Sequence, residues 1–154
     1  ILREVIAAAD LLREDFKVTA DIWSVTSFNE LRRDGMSAER HNMLHPSEPR
    51  RKSYVETCLE GHDGPVIAST DYMRAFAEQV RSQIPRRYSV LGTDGFGRSD
   101  YRVKLRRFFE VNRWYVAVAA LKALADDGEI GMDVVAGAIS KYGLDADKPN
   151  PWSV

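Results

Sequence analysis

Apolar residues at Leu2, Val5, Ile6, Ala9, Leu12 and Phe16, separated by Arg3, Glu4, Asp10, Arg13 and Glu14, recur at the spacing of one helix face, so the chain opens in an amphipathic helix. Thr19 to Val25 then changes period and reads as a short β-prone run, and Ser27 with Glu30 has the spacing of a capping box that starts another helix. From Asp34-Gly35 to His45-Pro46 the pattern is interrupted by glycine and proline and predicts short helical pieces and loop. Pro65 to Ser69 is a nearly continuous run of small and apolar residues, a second strand. Thr70-Asp71 follows as a helix cap before Met73, Phe76, Ala77 and Val80 at helical spacing. Tyr88 to Leu91 predicts a third strand, and after a glycine-rich loop a helix from Asp100 points Val103, Leu105, Phe108 and Phe109 inward. Trp114 to Leu121 has strand propensity, but its alanines and its continuation to Asp127-Gly128 favour a buried helix. A last helix spans Gly131 to Tyr142 with Val134, Val135, Ala138 and Ile139 inward, and residues 145–154 predict an extended tail.

Strands alternating with helices define an α/β fold, a three-layer arrangement of a mainly parallel sheet with helices on both faces. The 154 residues, 44% of them hydrophobic, suit one domain with one core. Three strands are few for so many helices, and the first helix runs from position 1 with no Ser, Thr, Asp or Asn before it. Both features lead to the expectation that the domain is part of a larger chain and that a strand ahead of the first helix is missing.

Charge narrows little: 22 basic against 23 acidic residues leave a net charge of -1, which favours neither nucleic acid nor an anionic membrane as partner. No apolar run is long enough to suggest a membrane span. The single cysteine, Cys58, excludes an intrachain disulfide and agrees with a reducing compartment; it reads as a buried or half-buried side chain.

In open parallel sheets ligands sit beyond the carboxyl ends of strands, which directs attention to the turns after Val25, Ser69 and Leu91. The last is the most distinctive. Gly92, Gly95 and Gly97 precede Arg98 and Ser99 at the expected helix entrance, with Asp94 and Asp100 in the same stretch. This is an arrangement for holding phosphate or carboxylate, or a tight and mobile connection. The order G-x-x-G-x-G is not the dinucleotide fingerprint. Asp94-Gly95 invites comparison with the Gly-Asp-Gly magnesium motif of thiamine enzymes, but Thr93 stands in the place of the first glycine and no Asn-Asn pair follows at the required distance. His41 and His45 have no further residue to complete a zinc set, and Pro46 disfavours helix at His45. Ser69 lacks a nucleophile-elbow setting, and Arg102, Lys104, Arg106 and Arg107 read as a solvated helix surface.

Several blocks together resemble one family: Val25-Thr-Ser-Phe28, Arg40-His-Asn-Met-Leu-His-Pro46, Ala68-Ser-Thr-Asp-Tyr-Met73, Phe76-Ala-Glu-Gln-Val-Arg81, Leu91 to Asp100, Arg107-Phe-Phe-Glu-Val111 and Asp145 to Pro151. They are similar to the C-terminal domain of the homodimeric bacterial pyruvate dehydrogenase E1 component, a domain type shared with transketolases. The resemblance implies a three-domain cytoplasmic enzyme that uses thiamine diphosphate and Mg2+ to decarboxylate pyruvate and acetylates the lipoyl group of an E2 acyltransferase. It also implies that cofactor and catalytic groups belong to the N-terminal and middle domains, leaving this domain a structural role in supporting the dimer. Asp94, Gly95, Gly97, Arg98, Ser99 and Asp100 are then candidates for a loop near the active site or a domain interface. Another transketolase-like thiamine enzyme, or a stand-alone anion-binding module using Gly92 to Arg98, are the alternative readings.

Overall fold

The structure, a computed structural model, describes all residues from Ile1 to Val154. Helix α1 (Leu2–Phe16) is followed by α2 (Phe28–Leu44), α3 (Tyr54–Leu59), β1 (Val66–Ser69), α4 (Arg74–Glu78), β2 (Tyr88–Leu91), α5 (Arg102–Phe108), α6 (Arg113–Asp126) and α7 (Met132–Lys141). Single 3-10 turns occupy Arg81–Gln83 and Pro151–Ser153. The two strands pair in parallel, Val66 opposite Tyr88 through to Ser69 opposite Leu91.

Because successive strand residues face opposite ways, Tyr88 and Val90 enter one apolar cluster and Leu91 the other. The first cluster is built by α1, α6 and α7 around Leu12, Val116, Leu121 and Val135. The second is built by α3, α4 and the 3-10 turn around Val55, Ala77, Val80 and Ile84, with Phe28 and Leu31 of α2 packed on it. Helices therefore cover both faces of the sheet, as the alternating pattern predicted.

The first of the three expected strands, Thr19 to Val25, is not formed. Thr19 to Thr26 has no regular secondary structure, makes no backbone–backbone hydrogen bond, and every one of its residues is exposed. β-propensity cannot make a strand without a neighbour to accept its hydrogen bonds. A second correction concerns α2, which runs unbroken through Gly35 where helical pieces and loop were expected. Gly35 is kept small because a Cβ there would lie 2.6 Å from Gln83 Cδ, so the helix interior trades propensity for a close side-chain approach. Ser27 does accept from Glu30 N–H at 3.3 Å. The reciprocal capping box, however, forms at Ser53 and Glu56, at the start of α3.

Thr70 and Asp71 do not cap α4. Thr70 Oγ1 accepts from Tyr72 N–H at 3.1 Å in a local turn, and α4 begins after Met73 without a side-chain cap. Helix α5 starts at Arg102, two residues later than expected, and Val103 points outward at 76% exposure. The tail is not extended throughout: Asn150 caps the closing 3-10 turn, and Pro151 is buried. Trp114 to Leu121 is helix, inside α6. Asn112 caps it, accepting from Tyr115 N–H at 3.3 Å. Gly128, at φ 81°, and Gly143, at φ 57°, follow the ends of α6 and α7 in the left-handed region.

Candidate functional site

The carboxyl ends of β1 and β2 lie side by side in the sheet, which brings the turn after Ser69 against the loop after Leu91. Two hydrogen bonds stitch them: Thr93 N–H donates to Tyr72 O at 2.9 Å, and the Thr93 hydroxyl donates to Asp71 O at 3.0 Å. Gly92 lets the two backbones meet. Asp94 then turns back, accepting from the Arg74 N–H with both carboxylate oxygens at 3.3 Å and pairing with Arg74 Nε at 3.2 Å. The Arg74 guanidinium in turn stacks on Trp152 of the C-terminal turn, 5.2 Å from the ring centre. Gly95, at φ 111°, sits directly against Pro151 O and Trp152 Cα.

The second half of the loop is unlike the first. Residues 95–104 are all exposed, and Phe96 and Tyr101 present 74% and 79% of their surfaces to solvent. Arg98 and Ser99 do not stand at a helix entrance, since α5 begins at Arg102. Arg98 instead stacks on Phe108 at 5.0 Å, and Asp100 accepts from Tyr101 N–H at 2.7 Å. Of the six candidate residues, Asp94 and Gly95 are thus built into the domain's own framework, while Gly97, Arg98, Ser99 and Asp100 face outward. With Tyr72, Val103 and Trp152 also exposed, this end of the sheet carries a group of exposed aromatic and apolar side chains among the charged Arg98, Asp100, Arg102 and Lys104.

Beside this loop lies an ionic cluster that the linear pattern did not reveal. Glu4 of α1, only 13% exposed, accepts from the backbone N–H of Arg113 at 3.1 Å and from its guanidinium at 3.0 and 3.2 Å, and lies 3.6 Å from Arg106. Arg106 also reaches Asp71 at 3.1 Å. Arg106 is only 16% exposed, so α5 is not simply a solvated basic surface. The cluster ties α1, α5 and the start of α6 to the turn after β1.

Hydrogen bonding from Arg113, with the nearby charges of Arg113 and Arg106, holds the Glu4 carboxyl below its ordinary value against the opposing effect of burial. A depressed carboxylate stabilises the fold fully at pH values above its unfolded pKa of about 4.3, and that contribution is lost as pH falls through the lower folded value. Glu4→Gln is therefore expected to cost about 2 kcal/mol at pH 7, through loss of charge-assisted hydrogen bonds, and progressively less below about pH 4. Urea unfolding at pH 7 and pH 3 measures this, and an equal loss at both pH values would refute the assignment.

Thiamine diphosphate with magnesium requires free carboxylate and carbonyl oxygens that converge on the metal. Asp94, the carboxylate that invited comparison with the magnesium motif, is engaged with the backbone and side chain of Arg74, and no group of three His, Cys, Asp or Glu side chains converges anywhere in the chain. These residues do not fit that cofactor. His41 and His45 stack on each other at 4.3 Å, with His41 Nε2 3.4 Å from Glu48 and His45 Nδ1 3.0 Å from the His41 carbonyl. Cys58 is half-buried. No helix is long and apolar enough to cross a membrane.

An α/β domain whose strand ends carry an exposed aromatic surface in place of a closed pocket is the class that this geometry defines. The family model for the transketolase-like TK C-terminal domain matches residues 1–112, and the chain belongs to that family. It is 64% identical, over all 154 residues, to the C-terminal region of the pyruvate dehydrogenase E1 component of Cupriavidus necator. It is also 64% identical over 152 residues to that of Pseudomonas aeruginosa, and 57% identical over 152 residues to that of Escherichia coli K12. In the latter two cases 98% of the chain is matched. The chain spans about 17% of the length of each of these relatives.

Proposed function

We propose that this chain is the C-terminal domain of a pyruvate dehydrogenase E1 component, one of three domains in an enzyme that decarboxylates pyruvate on thiamine diphosphate with Mg2+ and acetylates the lipoyl group of E2. The observation that carries the reading is identity of 64% along the entire chain to proteins of that name. On this reading the domain supplies structure: it supports the homodimer and presents its strand-end surface to the N-terminal and middle domains. The half of the loop from Gly97 to Asp100, with Phe96 and Tyr101, lies at that interface, in the cytoplasmic enzyme. Asp94 and Arg74 hold the loop in place from behind.

The anion-binding alternative draws no support from the side chains. Arg74 is already paired with Asp94, Arg98 lies on Phe108, and Asp94 and Asp100 put two carboxylates into the same loop. Helix α5, at seven residues, is a short support for an anion.

A chimera tests the proposal directly. Grafting this chain in place of the matching C-terminal region of the Cupriavidus necator E1 component is expected to give an enzyme that decarboxylates pyruvate and reductively acetylates lipoyl-E2. The 154-residue chain alone is expected to do neither. Decarboxylation by the isolated chain, or its binding of thiamine diphosphate at micromolar concentration, would overturn this division of labour. A folded but inactive chimera would overturn the family-level role.

A further inference from the structure

No residue from Gly92 to Glu110 belongs to either apolar cluster, and α5, which lies within that stretch, buries none of its residues. The position of the loop and of α5 is therefore set by individual polar and ring contacts. One short segment, Lys148 to Trp152, supplies such contacts at both ends. At the first end, Pro151 is buried, and the Gly95 backbone lies so close to the turn that a Cβ there would come within 2.7 Å of Pro151 O and 2.8 Å of Trp152 Cα. The Trp152 ring lies under the guanidinium of Arg74, the residue that holds Asp94. Asn150 fixes this turn: its side-chain oxygen accepts from Trp152 N–H at 3.4 Å, and the Ser153 hydroxyl donates to its carbonyl at 2.7 Å. At the second end, the half-buried Lys148 donates from Nζ to the last carbonyl of α5, Phe108 O, at 2.6 Å and pairs with Glu110 at 3.0 Å. The Lys148 ammonium and the Arg98 guanidinium also lie over the Phe108 ring, at 5.4 and 5.0 Å.

We propose that Lys148 to Trp152 is a strap that sets the position of the exposed Phe96–Tyr101 stretch, with Lys148 and Trp152 as positioning residues of the assembled E1 component. The inference rests on the E1 reading for what that stretch meets, the N-terminal and middle domains. The physical need for a strap is plain. A loop with three glycines and its aromatic side chains in solvent has no preference of its own for one position. The exposed stretch hangs between Gly95 and Phe108, and the strap holds both points. Its two anchors work differently. The turn is stiff, because proline fixes its own φ and Asn150 caps it, so it offers a rigid stop for Gly95 and a ring for Arg74. Lys148 gives α5 a cation and a donor at its carbonyl end, where a helix leaves acceptors without partners. Since neither Lys148 nor Trp152 is part of an apolar cluster, losing one of these side chains releases the loop without unfolding the domain.

The E1 chimera carrying Trp152→Ala, Trp152→Phe, Lys148→Ala or, as a control, Val154→Ala tests the strap by amide hydrogen exchange and by activity. Four hydrogen-bonded amides report on its two ends: Arg74 and Thr93 at the root of the loop, Leu105 and Phe109 along α5. Trp152→Ala is expected to speed exchange at the first two by about fivefold, the effect of losing a cation–ring contact and its packing. Lys148→Ala is expected to speed exchange at the second two by about tenfold, the effect of losing charge-assisted hydrogen bonds. Amides inside α6 should keep their rates in every variant. Each alanine variant at 148 or 152 is expected to lower kcat/KM for pyruvate by about fivefold, while Trp152→Phe, which keeps a ring under Arg74, stays within about twofold of the unsubstituted chimera. Unchanged exchange at the four amides, acceleration that spreads equally through α6, a released loop with unchanged activity, or a phenylalanine no better than alanine at position 152 each overturns the strap. If the unsubstituted chimera is folded but inactive, the E1 reading fails and takes this inference with it. If it is active and the Trp152→Ala and Lys148→Ala forms behave like Val154→Ala, the strap fails and the E1 reading stands.

Discussion

Gly92→Ala is expected to destabilise the domain by about 3 kcal/mol, the upper end of the usual overpacking range. The reason is space, not backbone conformation, since Gly92 is not among the positive-φ glycines. A Cβ at this position would lie 2.7 Å from the backbone N of Arg74 and 2.8 Å from the backbone O of Tyr72. Neither is the flexible end of a side chain. To admit the methyl group, the turn after β1 and the loop after β2 must separate, which strains the Thr93–Tyr72 hydrogen bond and the Asp94 contacts to Arg74. Gly97→Ala is the matched control, with nothing within 4 Å of its Cβ, and should change stability by less than about 0.5 kcal/mol. Urea midpoints for the two variants test the contrast. If they lose equal stability, the loop is not fixed by close backbone approach, and its support for the surface at Phe96 to Tyr101 fails with it.

That contrast also shows how far the sequence reading reached. The three glycines of this loop look alike in the linear chain, yet Gly92 lets two backbones meet, Gly95 adopts φ 111° against Pro151, and Gly97 is unconstrained. Only the first two depend on residues distant in sequence. β1 and β2 were legible because each is a short apolar or β-branched run bounded by turn residues, and a helix covers each face. Thr19–Val25 has the same local signal and forms no strand, because pairing depends on a neighbour and propensity does not supply one. Gly35 misled for the opposite reason: a helix-weakening residue persists within α2 because Gln83 occupies the space beside it. Glu4 and Arg106 looked like polar spacers on amphipathic helices. They are partners across about a hundred residues of chain, a relation that no periodicity records. The Arg74–Asp94–Trp152 contact was hidden in the same way, although the glycine-rich loop that it braces was plain.

The first apolar cluster gives the other large expected effect. Leu121→Ala is expected to cost about 3 to 4 kcal/mol, within the range for buried leucines and above its lower limit. Leu121 is fully buried in α6, and its cluster includes Ala8, Leu12, Val116, Ala117, Ala125, Val135 and Ala138. Four of those seven neighbours are alanines. They allow α1 and α7 to approach α6 closely, so Leu121 supplies much of the side-chain volume at the junction. Alanine side chains have no rotamers with which to fill a vacated space, and closing the void requires whole helices to shift. Leu121→Met, which preserves volume, should lose less than about 1.5 kcal/mol. The loss should also be felt at the sheet end, because α1 carries Glu4 and α6 begins at Arg113, the two sides of an ion pair at 3.0 Å. Adding Glu4→Gln to Leu121→Ala should therefore cost less than the sum of the two single losses, by about 0.5 kcal/mol or more, in a double-mutant cycle. Strict additivity would mean that the α1–α6 contact holds its register at Glu4 without the packing at Leu121.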